Sequence, residues 1–155
     1  MPPTKLCGMI QNQAARPKCV LIGASGHAHS VLDAILSTDA IEPVAILTPD
    51  SHLWGTDLFG VPITGGDEQL ERLAAVGANT FTIAFGALGK PFLRAEAYTK
   101  AVRAGLSPIN IVHKAAVISP FSKIGEGCQF LAGSIVNPMA QLGNNVLVNT
   151  GAIIE

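Results

Sequence analysis

Residues 111–155 read IVHKAAVISPFSKIGEGCQFLAGSIVNPMAQLGNNVLVNTGAIIE, and an apolar residue recurs in them at every sixth position. The members of this series are Val112, Ile118, Ile124, Phe130, Val136, Leu142, Val148 and Ile154. An α-helix repeats about every 3.6 residues and a flat strand about every 2, so neither explains this interval. A chain that turns a corner after each short strand does explain it, and three such strands close one triangular coil. We therefore predict a β-solenoid in which Val112, Phe130 and Val148 stack on one face, and Ile118, Val136 and Ile154 on the next.

Two further positions keep the same interval. Two residues before the large apolar residue, the side chain is small at Ala116, Ser122, Cys128, Ser134, Ala140 and Ala152. One residue after it, glycine or asparagine recurs at Gly125, Asn137, Gly143 and Asn149. Small side chains fit where the corner of a prism narrows, and glycine and asparagine tolerate positive φ, so we expect the tight bends at these glycines and asparagines. A small β-sandwich is the alternative, but its strands rarely repeat at one fixed period.

The composition indicates a soluble aliphatic protein. The 155 residues are 48% hydrophobic, 14% charged and 5% aromatic, with a net charge of −1. No basic stripe favours nucleic acid, and no polybasic run favours a membrane surface. Residues 1–17 mix proline, glutamine, asparagine and lysine without a continuous apolar run, so they are neither a signal peptide nor a membrane span. We interpret them as an N-terminal extension.

The cysteines indicate a reducing compartment. Cys7, Cys19 and Cys128 are odd in number and widely spaced, which argues against a disulfide framework and against a zinc site. We therefore predict a cytoplasmic protein without a metal. Cys128 belongs to the series of small residues, so packing is its expected role.

The N-terminal half begins with a strand, a glycine turn and a helix. The apolar run of residues 19–22 is followed by GASGHA at 23–28 and then by apolar residues at helical spacing. Backbone N–H groups at such a turn approach an anion closely, and the helix N-terminus adds partial positive charge. Gly23, Ser25, Gly26 and His27 are therefore candidate phosphate contacts. The pattern is not the full GxGxxG fingerprint, so the glycines could also serve only a tight connection.

Strands and helices then alternate, which predicts a mostly parallel sheet. Asp50 follows the strand at 44–47, where doubly wound sheets place a carboxylate for a ribose, but it is equally interpretable as a turn residue after Pro49. Gly86 ends the buried strand at 81–85 and is a further candidate contact. We predict a small Rossmann-like unit over residues 18–107 and the solenoid over residues 108–155.

This arrangement resembles the sialic acid O-acetyltransferase and UDP-amino-sugar N-acetyltransferase family, the NeuD/PglD type of hexapeptide-repeat sugar acyltransferases. The likeness rests on GASGHA at 23–28, LWG at 53–55, GVPI at 60–63, GGD at 65–67, IAFG at 83–86, IVH at 111–113, AVI at 116–118 and VNTGAIIE at 148–155. It extends from residue 18 to the last residue. His29 and Asp50 depart from the family, which often has a lysine or arginine and consecutive acids there. His113 matches a histidine at the start of the family's solenoid, and we expect a structural role for it.

The resemblance implies a left-handed β-helix, a homotrimer, and transfer of an acetyl group from acetyl coenzyme A to a sugar or nucleotide-linked amino sugar. In the family, the motif matching residues 149–155 continues into a histidine that acts as general base. By this resemblance the catalytic histidine and the coils that bind coenzyme A lie beyond Glu155, so we expect a truncated chain that is inactive alone. The alternative is a non-catalytic module that binds a nucleotide sugar or forms trimers. A nicotinamide oxidoreductase is disfavoured by the incomplete fingerprint.

Overall fold

The computed structural model describes residues 15–86 and 91–155, so most of the predicted N-terminal extension lies outside the described residues. The first part of the chain is an α/β unit. Its elements are β1 (Lys18–Ile22), α1 (Gly26–Thr38), β2 (Glu42–Leu47), β3 (Asp57–Leu58), β4 (Val61–Gly65), α2 (Leu70–Ala75), β5 (Thr80–Ile83), α3 (Pro91–Arg103) and β6 (Ser107–Pro108). Short 3₁₀ helices cover Ser51–Leu53 and Asp67–Gln69.

The sheet of this unit has the strand order β3-β4-β2-β1-β5-β6. Every neighbouring pair is parallel except β3 and β4, which form a hairpin. The parallel sheet confirms the prediction from alternating strands and helices, whereas β3, at two residues, is too short to show a period in the sequence. β1 lies in the middle, and its residues 19–22 are all buried, which explains their uninterrupted apolar run.

The second part of the chain is the predicted solenoid. Its strands are β7 (Ile111–Val112), β8 (Val117–Ile118), β9 (Lys123–Ile124), β10 (Gln129–Phe130), β11 (Ile135–Val136), β12 (Gln141–Leu142), β13 (Leu147–Val148) and β14 (Ile153–Ile154). They form three parallel sheets, β7-β10-β13, β8-β11-β14 and β9-β12. This is the left-handed parallel β-helix of hexapeptide repeats, and the predicted fold class is confirmed.

The register of the coils also follows the sequence. Phe130 pairs with Val112 below it and with Val148 above it. Val136 pairs in the same way with Ile118 and Ile154. Phe130, Val136 and Val148 are at most 1% exposed, whereas Val112, in the first coil, is 37% exposed. The six-residue interval therefore places Phe130, Val136 and Val148 inside the tube.

The prediction for the tight bends is wrong by two positions. Positive φ occurs at Gly127, Gly133, Met139, Asn145 and Gly151, three residues after the large apolar residue. Gly125 has a different reason to be glycine. A Cβ there would lie 2.6 Å from the backbone of Gly143 in the next coil, so close contact between coils excludes a side chain.

The solenoid joins the α/β unit through the outer face of the β7-β10-β13 sheet. Ile111 and Gln129 point out of the tube on this face, yet both are completely buried. Ile111 belongs to the same hydrophobic cluster as Leu21 of β1 and Ile35 of α1. β6 covers Ser107–Pro108, and the predicted boundary after residue 107 stays a prediction. Over residues 15–86 and 91–155, no helix is long and apolar enough to cross a membrane.

Candidate functional site

A crevice opens where β1 ends. In the sheet, β2 and β5 lie on opposite sides of β1. This is the topological switch point, where open α/β sheets bind ligands. Gly23 is the first residue after β1, and its N–H donates to the carbonyl of Leu47 over 2.7 Å. Its φ is +116°, and a Cβ would lie 2.9 Å from the backbone of Ala84. Only glycine therefore fits between the ends of β1 and β5.

The N-terminus of α1 faces this crevice without a competing acid. Ser25 occupies the N-cap position, but its side chain makes no cap hydrogen bond, and the first turn carries no acidic residue. Gly26 is exposed, and nothing lies within 4 Å of an ideal Cβ built on it. The N–H groups of the first turn and the partial positive charge of the helix are therefore suited to an anion.

The His27 ring is held by the solenoid. Its Nε2 lies 2.8 Å from Oε1 of Gln129, a residue of β10. The Gln129 amide nitrogen donates in turn to Thr82 Oγ1 over 2.7 Å and to the Ile83 carbonyl over 2.6 Å. Burial lowers the pKa of His27 from its ordinary value of 6.5, the bond to Gln129 opposes this, and the charge of Arg94 lowers it further. The imidazole is therefore neutral at physiological pH.

Arg94 of α3 places a buried positive charge behind the crevice. It is 4% exposed, and its guanidinium donates to the Phe85 carbonyl over 2.5 Å and to Asn145 Oδ1 over 2.8 Å. No carboxylate of the described residues forms an ion pair with it. Burial lowers the pKa of Arg94, but a guanidinium remains charged in proteins. A buried positive charge without a carboxylate partner among the described residues therefore lies close to His27.

A pocket of about 260 Å³ lies at the carboxyl ends of β1 and β2, on the side of α3. Gly23, Leu47, Phe85, Asp67 and Lys100 are among the residues that line it. Pockets for drug-sized ligands usually measure about 300–1,000 Å³. The pocket is therefore of a size for one part of a nucleotide sugar. Residues 87–90, which follow Gly86, lie outside the described part of the chain.

Asp50 lies at the carboxyl end of β2, and its carboxylate is engaged in a turn. Oδ1 accepts the N–H of His52 over 3.1 Å, which caps the 3₁₀ helix Ser51–Leu53. This contact agrees with the turn interpretation, and a contact to a ribose stays a prediction. Gly86 is exposed just after β5, beside the Phe85 carbonyl that accepts from Arg94, and its role in binding also stays a prediction.

His113 joins α1 to the first coil. Its Nε2 lies 3.2 Å from Oδ2 of Asp33, and its Nδ1 accepts the N–H of Ala115 over 2.9 Å. Nearby, Ser37 Oγ accepts the N–H of Lys114 over 3.0 Å. Because both ring nitrogens of His113 are occupied, it is not available as a general base. Within residues 15–86 and 91–155, no group of three or more His, Cys, Asp or Glu side chains is placed to hold a metal ion.

Sequence reasoning missed Gln129, Arg94 and Asn145. Gln129 occupies an outward position of a solenoid strand, where a polar residue is ordinary, and Arg94 lies on a helix rich in other charges. Their importance comes from contacts between elements that are 46 or more residues apart in the chain. No local pattern in the sequence reports such a contact.

Comparison with known proteins places this geometry in a family. The model of the PglD N-terminal domain matches residues 18–101. A histidine variant of perosamine N-acetyltransferase from Caulobacter crescentus, solved in complex with CoA and GDP-perosamine, is similar with 31% identity and a TM-score of 0.79, over 90% of this chain and 63% of that chain. The acetyltransferase domain of PglB from Neisseria gonorrhoeae, solved with acetyl coenzyme A, is similar with 26% identity and a TM-score of 0.78, over 90% of this chain and 65% of that one.

This chain therefore spans less than two thirds of the length of these relatives. The family model covers more than half of the chain, and the structural match continues from it into the solenoid. The predicted resemblance is thereby confirmed, and the chain belongs to the NeuD/PglD-like family.

Proposed function

We propose that this chain supplies the nucleotide-sugar-binding unit and the first solenoid coils of an acetyl-CoA-dependent sugar acetyltransferase. The observation that carries the proposal is the pair of positive groups at the switch point of the sheet, the N-terminus of α1 and the buried charge of Arg94. The complexes of the relatives with GDP-perosamine and with acetyl coenzyme A support a nucleotide sugar as acceptor and acetyl coenzyme A as donor.

Different candidate residues would contact different parts of the nucleotide sugar. The backbone N–H groups of Gly23, Ser25, Gly26 and His27 would contact the phosphates. The neighbouring charge of Arg94 offsets part of the negative charge of a diphosphate. Asp50 and Gly86, after β2 and β5, would flank the nucleoside. A GDP sugar is as compatible with these groups as a UDP sugar, because none of them reads the base.

Acetyl transfer also needs a general base. The amine or hydroxyl of the sugar attacks the thioester carbonyl, the base takes its proton, the C–S bond breaks, and coenzyme A leaves. Both ring nitrogens of His113 are engaged in contacts within the protein, whereas His27 uses only Nε2 and lies at the glycine turn assigned to the nucleotide sugar. From the family resemblance, we propose that the base is a histidine outside residues 1–155, and that residues 1–155 bind the nucleotide sugar without transferring the acetyl group.

The binding proposal is tested with a matched pair of variants at Gly26. An ideal Cβ at Gly26 meets nothing within 4 Å, so both Gly26→Ala and Gly26→Asp should fold. The aspartate puts a negative charge beside the phosphates, whereas the alanine does not. Calorimetric titration with GDP and GDP-perosamine should show binding to the wild type and to Gly26→Ala, and at least about tenfold weaker binding to Gly26→Asp.

Equal affinity of the two variants would show that the ligand lies elsewhere. Release of free thiol from acetyl coenzyme A is measured on the same samples. We expect none above the blank, and turnover by the chain would refute the proposed position of the base.

A role in trimer assembly rests on a separate observation, the exposed apolar face of one solenoid sheet. The outer face of the β8-β11-β14 sheet carries Val117, Ile135 and Ile153, of which Val117 is 61% exposed and Ile153 57% exposed. Stacked apolar side chains on an outer face are typical of an interface. We propose that this face contributes to the homotrimer.

A cytoplasmic location is supported by Cys19 and Cys128, which are free thiols.

A further inference from the structure

The orientation of the Gln129 side-chain amide is fixed by its surroundings. Its nitrogen lies 2.6 Å from the Ile83 carbonyl oxygen, which only accepts hydrogen bonds. The reversed amide would place two acceptor oxygens at that distance, so the nitrogen must face Ile83. The two amide hydrogens are then used by Ile83 and Thr82. Oε1 is the atom that remains for His27.

This orientation determines the protonation of the His27 ring. Gln129 Oε1 has no hydrogen to give, so His27 Nε2, at 2.8 Å, must carry the proton and donate it. In a neutral imidazole the other nitrogen then has a lone pair and accepts. Within the described residues, no group donates a hydrogen bond to Nδ1 of His27.

We infer that Gln129 is a positioning residue that holds His27 as the Nε2–H tautomer, so that Nδ1 selects a hydrogen-bond donor of the ligand, a sugar hydroxyl or amino group, instead of a phosphate oxygen. The statement about the tautomer stands on the geometry alone, whereas the statement about the ligand rests on the proposed function. The inference also narrows the role predicted for His27: its backbone N–H suits a phosphate, but its ring does not.

Two further observations, the burial of Gln129 and the charge of Arg94, agree with this assignment. Gln129 is completely buried, so water does not compete for its amide. Arg94 is close enough for its positive charge to oppose protonation of the imidazole. A ring that stays neutral offers a phosphate no positive charge. The N-terminus of α1 and Arg94 supply the positive charge for the phosphates. The His27 ring then accepts a hydrogen bond from the sugar.

The tautomer is tested first and without a ligand. Long-range ¹H–¹⁵N spectra of the ¹⁵N-labelled chain at about pH 7.5 distinguish a protonated ring nitrogen from a lone-pair nitrogen. We expect the lone-pair resonance of His27 at Nδ1. His113 is an internal standard, because its Nδ1 accepts from Ala115 and it should show the same tautomer. In Gln129→Met the His27 signals should change to an average of the two tautomers while those of His113 stay. A lone pair at Nε2 of His27, or averaged signals in the wild type, would overturn the inference.

The statement that Nδ1 contacts the sugar part of the ligand is tested with His27→Asn and His27→Gln. The asparagine oxygen can occupy the place of Nδ1, whereas the glutamine amide can reproduce the donation of Nε2 to Gln129 but leaves no acceptor at Nδ1. We expect His27→Gln to bind GDP-perosamine about 3- to 10-fold more weakly than His27→Asn does, and GDP equally well. Equal losses for GDP and GDP-perosamine would show that the ring contacts the nucleotide part and would overturn the statement about the ligand. Failure of the wild type to bind either compound would refute the proposed function and that statement together, while the spectra would still decide the tautomer.

Discussion

Two glycines of the solenoid, Gly151 and Gly143, differ in their φ angle. Gly151 has a φ of +69°, whereas the φ of Gly143 is not positive. Nothing lies within 4 Å of an ideal Cβ built on either glycine. We expect Gly151→Ala to lower the free energy of unfolding by about 1 kcal/mol, because an L side chain disfavours this region, and Gly143→Ala to leave it unchanged or slightly higher. Urea unfolding of both variants checks this, and equal effects would contradict it.

His27 should make stability depend on pH. Its pKa is lowered in the folded chain and returns to about 6.5 on unfolding, so below that value the unfolded chain binds more protons. The stabilisation is therefore complete above about pH 6.5 and is lost as the pH falls through the lower folded pKa. The free energy of unfolding of the wild type should fall more than that of His27→Gln between about pH 7.5 and pH 5. Parallel curves would mean that the ring titrates freely.

Among the elements, α3 is anchored to the coils by the hydrogen bond of Arg94 to Asn145. Arg94→Met would leave Asn145 Oδ1 and the Phe85 carbonyl without their donor, so we expect a loss of about 1–3 kcal/mol in the free energy of unfolding. Lys100→Met removes another cation of α3, whose ion pair with Asp67 is exposed, and should cost less than about 1 kcal/mol. Chemical unfolding compares the two. A smaller loss for Arg94→Met than for Lys100→Met would exclude the anchoring role.

The sequence predicts elements well where one period persists. The interval of six identifies the solenoid and the stacking of Phe130 between Val112 and Val148. The tight bends were less predictable, because glycine and asparagine recur both one and three residues after the large apolar residue, and only backbone geometry separates the two series. In the candidate site, the glycine turn is visible in the sequence, but the contacts of His27 and Arg94 with the coils depend on tertiary packing.

For the whole molecule, the oligomeric state is the open prediction. Val117 and Lys123 both point outward from neighbouring strands, but only Val117 belongs to the apolar outer face. If three chains meet on this face, Val117→Asp should shift the species from trimer to monomer, because it buries an unpaired charge, while Lys123→Asp should leave the trimer intact. Sedimentation velocity measures both. A monomeric wild type, or a trimer in all three samples, would refute the proposed interface.

The burial of Gln129 and Ile111 under the α/β unit makes this boundary hard to cut. Separating the chain near residue 108 would uncover apolar side chains of α1 and leave Thr82 and Ile83 without their partner. Neither fragment is expected to persist as an independent domain. Chimaeras that exchange the α/β half between relatives would therefore keep their solubility only if the residues matching Gln129, Thr82 and His27 were transplanted as one set.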